Sequence, residues 1–452
     1  MVAAFLSNWA QIPKQRVDGW SLSVVALCGF LLGPVIALLI TAFGDSGGLW
    51  AHLASTVLGK YVGNTLILMM GVGALAILFG VSSAWVVTRY EFAGRGWFEW
   101  MLLLPAAIPA YIIAYTYTDF FEYAGPVQTA LRGFFGWQSA RDYWFPEIRS
   151  LGGATLVMAS VLYPYIYMVT RIAFRLTSAS LFEIALVHNK SQFWTVGLPL
   201  ARPAIMAGLA LVLMEVVSDF GTVEYFAIET ITLGIFNVWL GMNNIFAAAQ
   251  ISLVGFVFIL SLLGLELYAR SRQQFANTAR SQAPLVRLRI GPAGKTCCYL
   301  ACITPLVFGF IIPVGVLLKF VLASSLAAQM SGIVSTVLNS VVISAVAAVL
   351  VMMVSAVIVL AATYRAGKYT RAVALIASTG YAFPGTMLAI GMLIFAGVID
   401  RMIGAVSNDN LTGLLLGGFG VLVCAYLVRF QAVGYGATLS GVRRLPNNMM
   451  SA

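Results

Sequence analysis

The stretch VGNTLILMMGVGALAILFGVSSAWVVT at residues 62–88 decides the fold class, because it contains no charged residue. A helix that crosses a lipid bilayer needs about 20 mainly apolar residues, and this run is long enough. Similar runs recur along the chain, in which 61% of residues are hydrophobic and only 9% are charged. A soluble domain typically carries about 25% charged residues. The sequence therefore predicts an all-α membrane protein.

Ten apolar runs predict ten membrane spans. Pro105 and Pro109 interrupt the third span early, and Pro384 interrupts the ninth, so kinks are expected there. The predicted spans cover residues 20–43, 62–88, 99–121, 151–174, 204–224, 246–268, 297–322, 335–363, 372–398 and 412–428.

The basic residues predict the orientation. With the N-terminus in the cytoplasm, 20 of the 26 Lys and Arg residues fall in cytoplasmic segments. The six in outer segments are Lys60, Arg132, Arg141, Arg149, Lys319 and Arg401. Cytoplasmic loops of membrane proteins carry an excess of Lys and Arg, so this orientation is favoured, with an outer loop at 125–150. The same bias accounts for the net charge of +10 without a nucleic-acid partner. We predict a multi-pass protein of the bacterial inner membrane with no cleaved signal peptide.

Two halves of the chain resemble one another. Asn64-Thr65 opens the second span as Asn339-Ser340 opens the eighth, and the Pro109 and Pro384 kinks share the same spacing. We predict a first unit of six spans at 1–269, a basic cytoplasmic linker at 270–296 and a second unit at 297–452. The second unit has only four spans, which we interpret as truncation; alternatively, the partner spans come from elsewhere. The basic charge of the linker also suits a contact with anionic lipid.

The loop at 176–203 is the candidate functional segment. It is long, amphipathic and cytoplasmic in this orientation, and it ends in LPLARP at 198–203. Proline fits where one helix stops and the next begins. The pattern is typical of a short helix lying across the membrane face. An ordinary interhelical loop could have a similar sequence.

This loop resembles the coupling loop of binding-protein-dependent ABC importer permeases, whose pattern is Glu-Ala-Ala, a following Gly, and Leu-Pro. Ile184 replaces the first Ala, no Gly lies between Glu183 and Gly197, and a gapless alignment places Leu181 at the Glu position. The stretches at 64–96, 102–117, 161–174 and 216–239 are similar to the iron(III)-type branch, which fuses two permease units. The coupling residues implied by the resemblance are Glu183, Ala185, Gly197, Leu198, Pro199 and Arg202.

The resemblance implies a transport mechanism with separate partners. A periplasmic binding protein would deliver ferric iron, and a cytoplasmic ATPase dimer would grip the coupling loops and rock the halves between outward-open and inward-open states. The chain itself is expected to be no enzyme and to hold no cofactor or resident metal. It has no phosphate-binding Gly-rich loop with Lys and Ser/Thr, so a separate chain would hydrolyse ATP. The five cysteines lack metal-ligand spacing and are interpreted as packing residues.

An acidic pair marks a candidate translocation path. Glu215 and Asp219 are four residues apart and would share a helix face, next to Gly221. A carboxylate in hydrocarbon is costly, so both are expected to face the bundle interior or the pore mouth, where they would favour a cation. Alternatively, Asp219 caps a bend at Gly221.

Other transport classes remain open from the sequence. Thiamine, a polyamine or another small solute could replace iron, and an ion-coupled secondary transporter is the alternative of a different class. An integral-membrane enzyme would need a constellation of His, Cys or carboxylate residues that the sequence does not suggest.

Overall fold

The computed structural model describes residues 19–273, 287–323, 330–364, 384–407 and 418–442. In chain order its helices are α1 (Gly19–Ala42), α2 (Leu49–Thr56), α3 (Leu58–Arg89), α4 (Arg95–Met101), α5 (Ala110–Phe121), α6 (Pro126–Phe135), α7 (Leu151–Leu176), α8 (Ala179–Val187), α9 (Leu198–Ser218), α10 (Gly221–Tyr225), α11 (Ile231–Phe236), α12 (Ile245–Gln273), α13 (Pro292–Leu306), α14 (Ile312–Ala323), α15 (Met330–Tyr364), α16 (Gly385–Ser407) and α17 (Phe419–Val442). Two short strands, β1 (Tyr90–Glu91) and β2 (Leu288–Arg289), pair in parallel.

The helices are those of a multi-pass membrane protein. Within the described ranges, nine helical segments are long and apolar enough to cross a bilayer. A tenth crossing results if the bent pair Arg95–Ala107 and Ala110–Phe135, which meet at 92°, counts as one span. This confirms the prediction of an all-α membrane fold.

The bend in the third predicted span lies at the predicted prolines. Pro105 sits in a 3-10 turn, and Pro109 has extended backbone (ψ 140°) immediately before α5. Proline lacks an N–H and disfavours a helical residue before it, so the chain turns here instead of continuing as one helix. In the ninth span α16 begins directly after Pro384, and residues 372–383 lie outside the described part.

The tenth span differs from its prediction. The sequence places its end at residue 428 and Arg429 in a cytoplasmic segment, but α17 continues to Val442 and holds Arg429 in its interior. The predicted end at residue 428 is wrong for the helix, because polar residues that lower the hydropathy are paired inside the helix bundle, whereas the cytoplasmic side of Arg429 stays a prediction. Gln431, 1% exposed, donates from Nε2 to Ser355 Oγ on α15 at 3.0 Å.

Close contacts divide the chain into two compact units. The larger unit runs from Asp45 through α14 and adds residues 384–386. Within the described residues, the smaller unit combines α1 with α15, α16 and α17. This division into units is defined by contacts between helices. The predicted boundaries at 269 and 297 instead mark the two halves of a sequence repeat, and that repeat stays a prediction.

In the larger unit α7 is the central helix of the core and packs against α3 and α9. Glycines allow this approach. A Cβ added at Gly80 would lie 2.9 Å from the Ile166 side chain, and one at Gly208 would lie 2.9 Å from the Ile166 backbone. Small residues at helix contacts bring backbones close enough for dense van der Waals packing in lipid, where the hydrophobic effect does not drive helix association.

In the smaller unit α1 packs on α15 and α16. Phe30 and Phe395 meet edge to face with ring centroids 5.5 Å apart. A Cβ at Gly33 would overlap the Phe395 ring, and one at Gly391 would overlap the carbonyl oxygen of Pro34. α1 therefore fits its partners through backbone-to-backbone proximity as well as apolar surface.

Candidate coupling loop and translocation path

Helix α8 forms the first part of the candidate loop and has two distinct faces. Phe182 and Ala185 are 1% and 4% exposed and point into the larger unit, whereas Glu183 is exposed. The opposite face carries exposed apolar side chains three residues apart, which lie on one side of a helix. We name this face the apolar ridge: Leu181, Ile184 and Val187.

A buried glutamine fixes α8 to the end of α3. Gln192 accepts a hydrogen bond from Arg89 Nε at 2.9 Å and donates from Nε2 to the Phe182 carbonyl at 2.9 Å. The Arg89 guanidinium also lies over the Phe182 ring, 5.0 Å from its centroid. The Trp85 ring packs against both Phe182 and Phe193. We call Trp85, Arg89, Phe182 and Gln192 the loop clamp, because they join α8 and the segment that follows it to one transmembrane helix.

Asn189 makes the turn after α8. Its φ of 51° lies in the left-handed region, and Lys190 N–H donates to the Ala185 carbonyl at 2.8 Å to close the helix end. Asparagine is the commonest replacement for glycine in this conformation. The motif predicts a glycine at the turn between the two helices, so Asn189 could not be identified from it. The tolerance of Asn for positive φ is the sequence feature that indicates this turn.

The return segment carries the remaining predicted loop residues. Gly197 packs against the Trp85 ring, and an added Cβ would lie 2.6 Å from it. Leu198 and Pro199 then begin α9, where proline needs no backbone donor, and Arg202 is exposed on the first turn. Glu183, Ala185, Gly197, Leu198, Pro199 and Arg202 thus lie on one segment, with two buried residues holding it and two charged ones at the surface.

The two acidic residues of the candidate path lie at the end of α9. The helix ends at Ser218, and Asp219 is its C-cap, whose backbone N–H still donates to the Glu215 carbonyl at 2.9 Å. Asp219 accepts two hydrogen bonds from Thr222, from the backbone N–H at 2.8 Å and from Oγ1 at 2.7 Å. Asp219 therefore caps the start of α10, which is the alternative weighed above. Gly221 beside it allows contact with α5, since a Cβ would lie 2.9 Å from that of Tyr111.

The Asn64-Thr65 pair forms hydrogen bonds near the N-terminal end of α3, at the end opposite the loop clamp. Asn64 Nδ2 donates to the Glu229 carbonyl at 3.0 Å, and Thr65 Oγ1 accepts from Ile231 N–H at 3.1 Å. The Lys60 ammonium forms an ion pair with the Glu229 carboxylate at 2.5 Å. The sequence singled out this pair as a repeat marker, and its structural role is to bind the α3 terminus to the segment before α11.

The predicted outer loop at 125–150 is an ordered structure that contains α6. Asp142 accepts the backbone N–H groups of Gln138 and Ser139, each at 2.8 Å, and these bonds lower the pKa of the Asp142 carboxyl. The rings of Trp137 and Tyr143 stack with centroids 4.7 Å apart. A cavity of about 490 Å³ lies beside this loop, between residues 121–128 and 140–149.

No metal cluster accompanies these features in the part of the chain that the structure describes. There, no group of three or more His, Cys, Asp or Glu side chains could hold an ion. All five cysteines are free thiols, and Cys28, Cys298 and Cys302 are buried among apolar side chains.

The apolar helices define a polytopic membrane protein, and the chain is similar to permease subunits of ABC importers. The chain is 24% identical to the Fe(3+)-transport system permease protein FbpB 2 of Haemophilus influenzae over 75% of this chain and 64% of that protein. It is 25% identical to the sulfate transport permease CysT of Escherichia coli over 48% of this chain and 79% of that protein.

The molybdenum transport permease ModB of Escherichia coli is 26% identical over 34% of this chain and 68% of its own length. No family model matches the chain. The alignment thus spans somewhat less than two thirds of the iron permease, while the sulfate and molybdenum permeases match shorter parts of this chain.

Proposed function

We propose that this chain is the membrane-spanning permease subunit of an ATP-driven importer in the bacterial inner membrane, and that its solute is ferric iron delivered by a periplasmic binding protein. The observation that carries the proposal is the apolar ridge, held on a helix whose other face is clamped to the bundle. A helix that exposes three apolar side chains in a row suits a hydrophobic groove on a partner protein. The relative named as an iron(III) permease supports the choice of solute.

The partner at the ridge is proposed to be one subunit of a cytoplasmic ATP-binding cassette dimer. Leu181, Ile184 and Val187 would enter its groove, with Glu183 and Arg202 at the rim. The clamp would transmit motion of the ATPase to α3, because Arg89 and Trp85 belong to that helix. ATP hydrolysis would take place entirely on the partner, and this chain would contribute the moving path.

The proposed arrangement of the chain is two tandem permease units at 1–269 and 297–452, joined by the basic linker at 270–296. Glu215, Asp219 and Gly221 would lie along the path of the first unit. Because Asp219 is a capping residue, its proposed contribution is the shape of the path near α10 together with its charge.

A tetrahedral oxyanion is a second candidate solute, since two of the relatives are named as sulfate and molybdenum permeases. The acidic residues of the path favour a cation, and for that reason iron is preferred. Uptake into proteoliposomes that contain the chain, its ATPase and its binding protein would separate the solutes. Labelled ferric iron is expected to accumulate with ATP, whereas sulfate and molybdate are not. Accumulation driven by an ion gradient without ATP would contradict the importer assignment.

The ATPase contact has a matched pair of variants. Val187 on the ridge and Phe134 in the outer loop are 84% and 83% exposed. Val187→Asp is expected to abolish co-purification of the ATPase, because it puts a charge into a desolvated contact, and Phe134→Asp is expected to leave it intact. Equal co-purification with both variants would exclude the ridge as the coupling surface.

A further inference from the structure

Three arginines surround one carboxylate where α4 and α7 meet. Glu99 of α4 forms ion pairs with Arg95, at 3.2 Å from Nη1, and with Arg175 of α7, at 2.5 Å from Nη2. Arg171, one turn earlier on α7, pairs with the same oxygen as Arg175. We call these four residues the arginine cluster. They carry a net charge of +2, and the Glu99 side chain is only 12% exposed.

The cluster has more donors than acceptors. Three guanidinium groups offer roughly fifteen N–H donors, and Glu99 has two carboxylate oxygens. Arg95 also donates to the Val87 carbonyl at 3.2 Å, but its Nε and that of Arg171 are buried without a hydrogen-bond partner. A like-charged group of this kind is stabilised by a further anion that accepts several of these bonds.

A second carboxylate nearby does not cancel the net positive charge of the cluster. Glu91 lies 3.9 Å from Arg95 Nε and 3.6 Å from Nη1 of Arg287 beside β2, so it adds one negative and one positive group. The wider set of four arginines and two glutamates therefore keeps the charge of +2. Arg175, whose side chain is 45% exposed, is the member of the cluster most accessible to a ligand.

The surroundings of the cluster are those of a membrane interface. The apolar spans α3 and α7 end here, at Arg89 and Leu176. The short helix α4 exposes Trp97 and Trp100, which are 78% and 71% exposed and lie three residues apart on one face. Tryptophan is enriched at the level of the lipid headgroups, because its ring is amphipathic.

We propose that the arginine cluster binds the phosphodiester headgroup of an anionic membrane lipid. The phosphate oxygens would accept hydrogen bonds from Arg175 and the neighbouring guanidiniums. Trp97 and Trp100, on the other face of α4, would lie at the level of the headgroups. Arginine suits this ligand because its planar donors match two phosphate oxygens at once. The exposed tryptophans favour a lipid over a protein partner, since they are typical of a helix at the level of the lipid headgroups.

The test uses the purified full chain in neutral phosphatidylcholine, with and without phosphatidylglycerol, and counts retained lipid by native mass spectrometry. Arg175→Gln leaves Glu99 paired with Arg95 and Arg171, so the fold is expected to persist. Retention of phosphatidylglycerol is expected to fall about fivefold, the effect of removing one basic residue near an anionic surface. The matched control is Arg149→Gln, which removes an arginine that is 51% exposed and paired with Glu122 at 2.8 Å in the outer loop. This control is expected to retain lipid like the parent.

Three results would overturn the proposal. The first is equal phosphatidylglycerol retention by the Arg175→Gln variant and the parent. The second is an adduct of inorganic phosphate in neutral lipid that the same variant loses, because it would assign the site to a free anion. The third is loss of ATPase binding in that variant with unchanged lipid retention, which would assign the cluster to the protein partner. If Arg175→Gln does not fold, Arg175→Lys supplies the comparison: it keeps the charge but removes the planar pair of donors, and it is expected to lower retention.

Discussion

Replacing Gln192 with leucine is expected to disconnect the coupling loop from the helix bundle. The substitution preserves most of the side-chain volume but removes both hydrogen bonds of the clamp, to Arg89 Nε and to the Phe182 carbonyl. A hydrogen bond to a charged group contributes about 1.5–3 kcal/mol and a neutral one about 0.5–1.5 kcal/mol. The expected loss is therefore about 2–4 kcal/mol, concentrated at the junction between α8 and α3.

The chain offers a closely matched control in the outer loop. Gln128, 8% exposed, also donates from Nε2 to a phenylalanine carbonyl, that of Phe121 at 2.7 Å, and accepts at Oε1 from the Tyr143 hydroxyl at 2.5 Å. Gln128→Leu is expected to destabilise the chain by about 1–3 kcal/mol, because both of its bonds are neutral. The two variants thus lose comparable stability at opposite ends of the molecule.

The assay measures solute imported per ATP hydrolysed in proteoliposomes with the ATPase and the binding protein. Gln192→Leu is expected to lower this ratio at least several-fold, because the clamp is the proposed route by which ATPase motion reaches α3. Gln128→Leu is expected to keep the parental ratio even if less protein survives reconstitution. Equal ratios in the two variants would refute the mechanical role of the clamp, and thermal unfolding of both would show whether their stabilities are in fact comparable.

Four further outcomes are expected. Gly197→Ala should lower the same ratio, since its Cβ would lie 2.6 Å from the Trp85 ring; an unchanged ratio would mean that the ring moves aside freely. Glu183→Arg should weaken ATPase co-purification by reversing an exposed charge at the contact, and undiminished recovery of the complex would count against that contact. Gln138→Cys should react with a membrane-impermeant reagent in intact cells, and reaction only after permeabilisation would reverse the orientation. Asp219→Asn should lower iron uptake at equal expression, because it removes the charge and weakens the cap of α10 by about 1 kcal/mol; full uptake would leave only the capping role.

The membrane fold was readable from sequence because it depends on the length of apolar runs and on the positions of prolines. The run at 62–88 and the prolines before α5 gave the spans and the bend with small errors in their bounds. The prediction failed at the end of the tenth span, where hydropathy alone cannot tell a polar residue in a loop from one inside a bundle of helices. Gln431 is tolerated in α17 only because Ser355 lies opposite, and that partner is far away in sequence.

The motif located the candidate loop, but the contacts that hold the loop against the helix bundle could not be predicted from the sequence. Glu183, Gly197 and Pro199 could be named from their spacing, whereas Gln192 is important because it meets Arg89, which lies 103 residues earlier. Asp219 illustrates the opposite case. Helical spacing placed it on one face with Glu215, but a short acidic side chain followed three residues later by Thr222 is also a capping arrangement, and here capping ends the helix.

The grouping of α1 with α15, α16 and α17 affects the order in which helices assemble during synthesis at the ribosome. α1 ends at Ala42 and α15 begins at Met330, so roughly 290 residues are synthesised before the first of these partners appears. At about 5–20 residues per second, this interval lasts roughly 15–60 s. During it the Gly33 surface of α1, shaped for the Phe395 ring, faces lipid or a provisional neighbour. Assembly of the smaller unit is therefore a late step of synthesis, and a ribosome that stalls before residue 330 leaves α1 inserted without these partners.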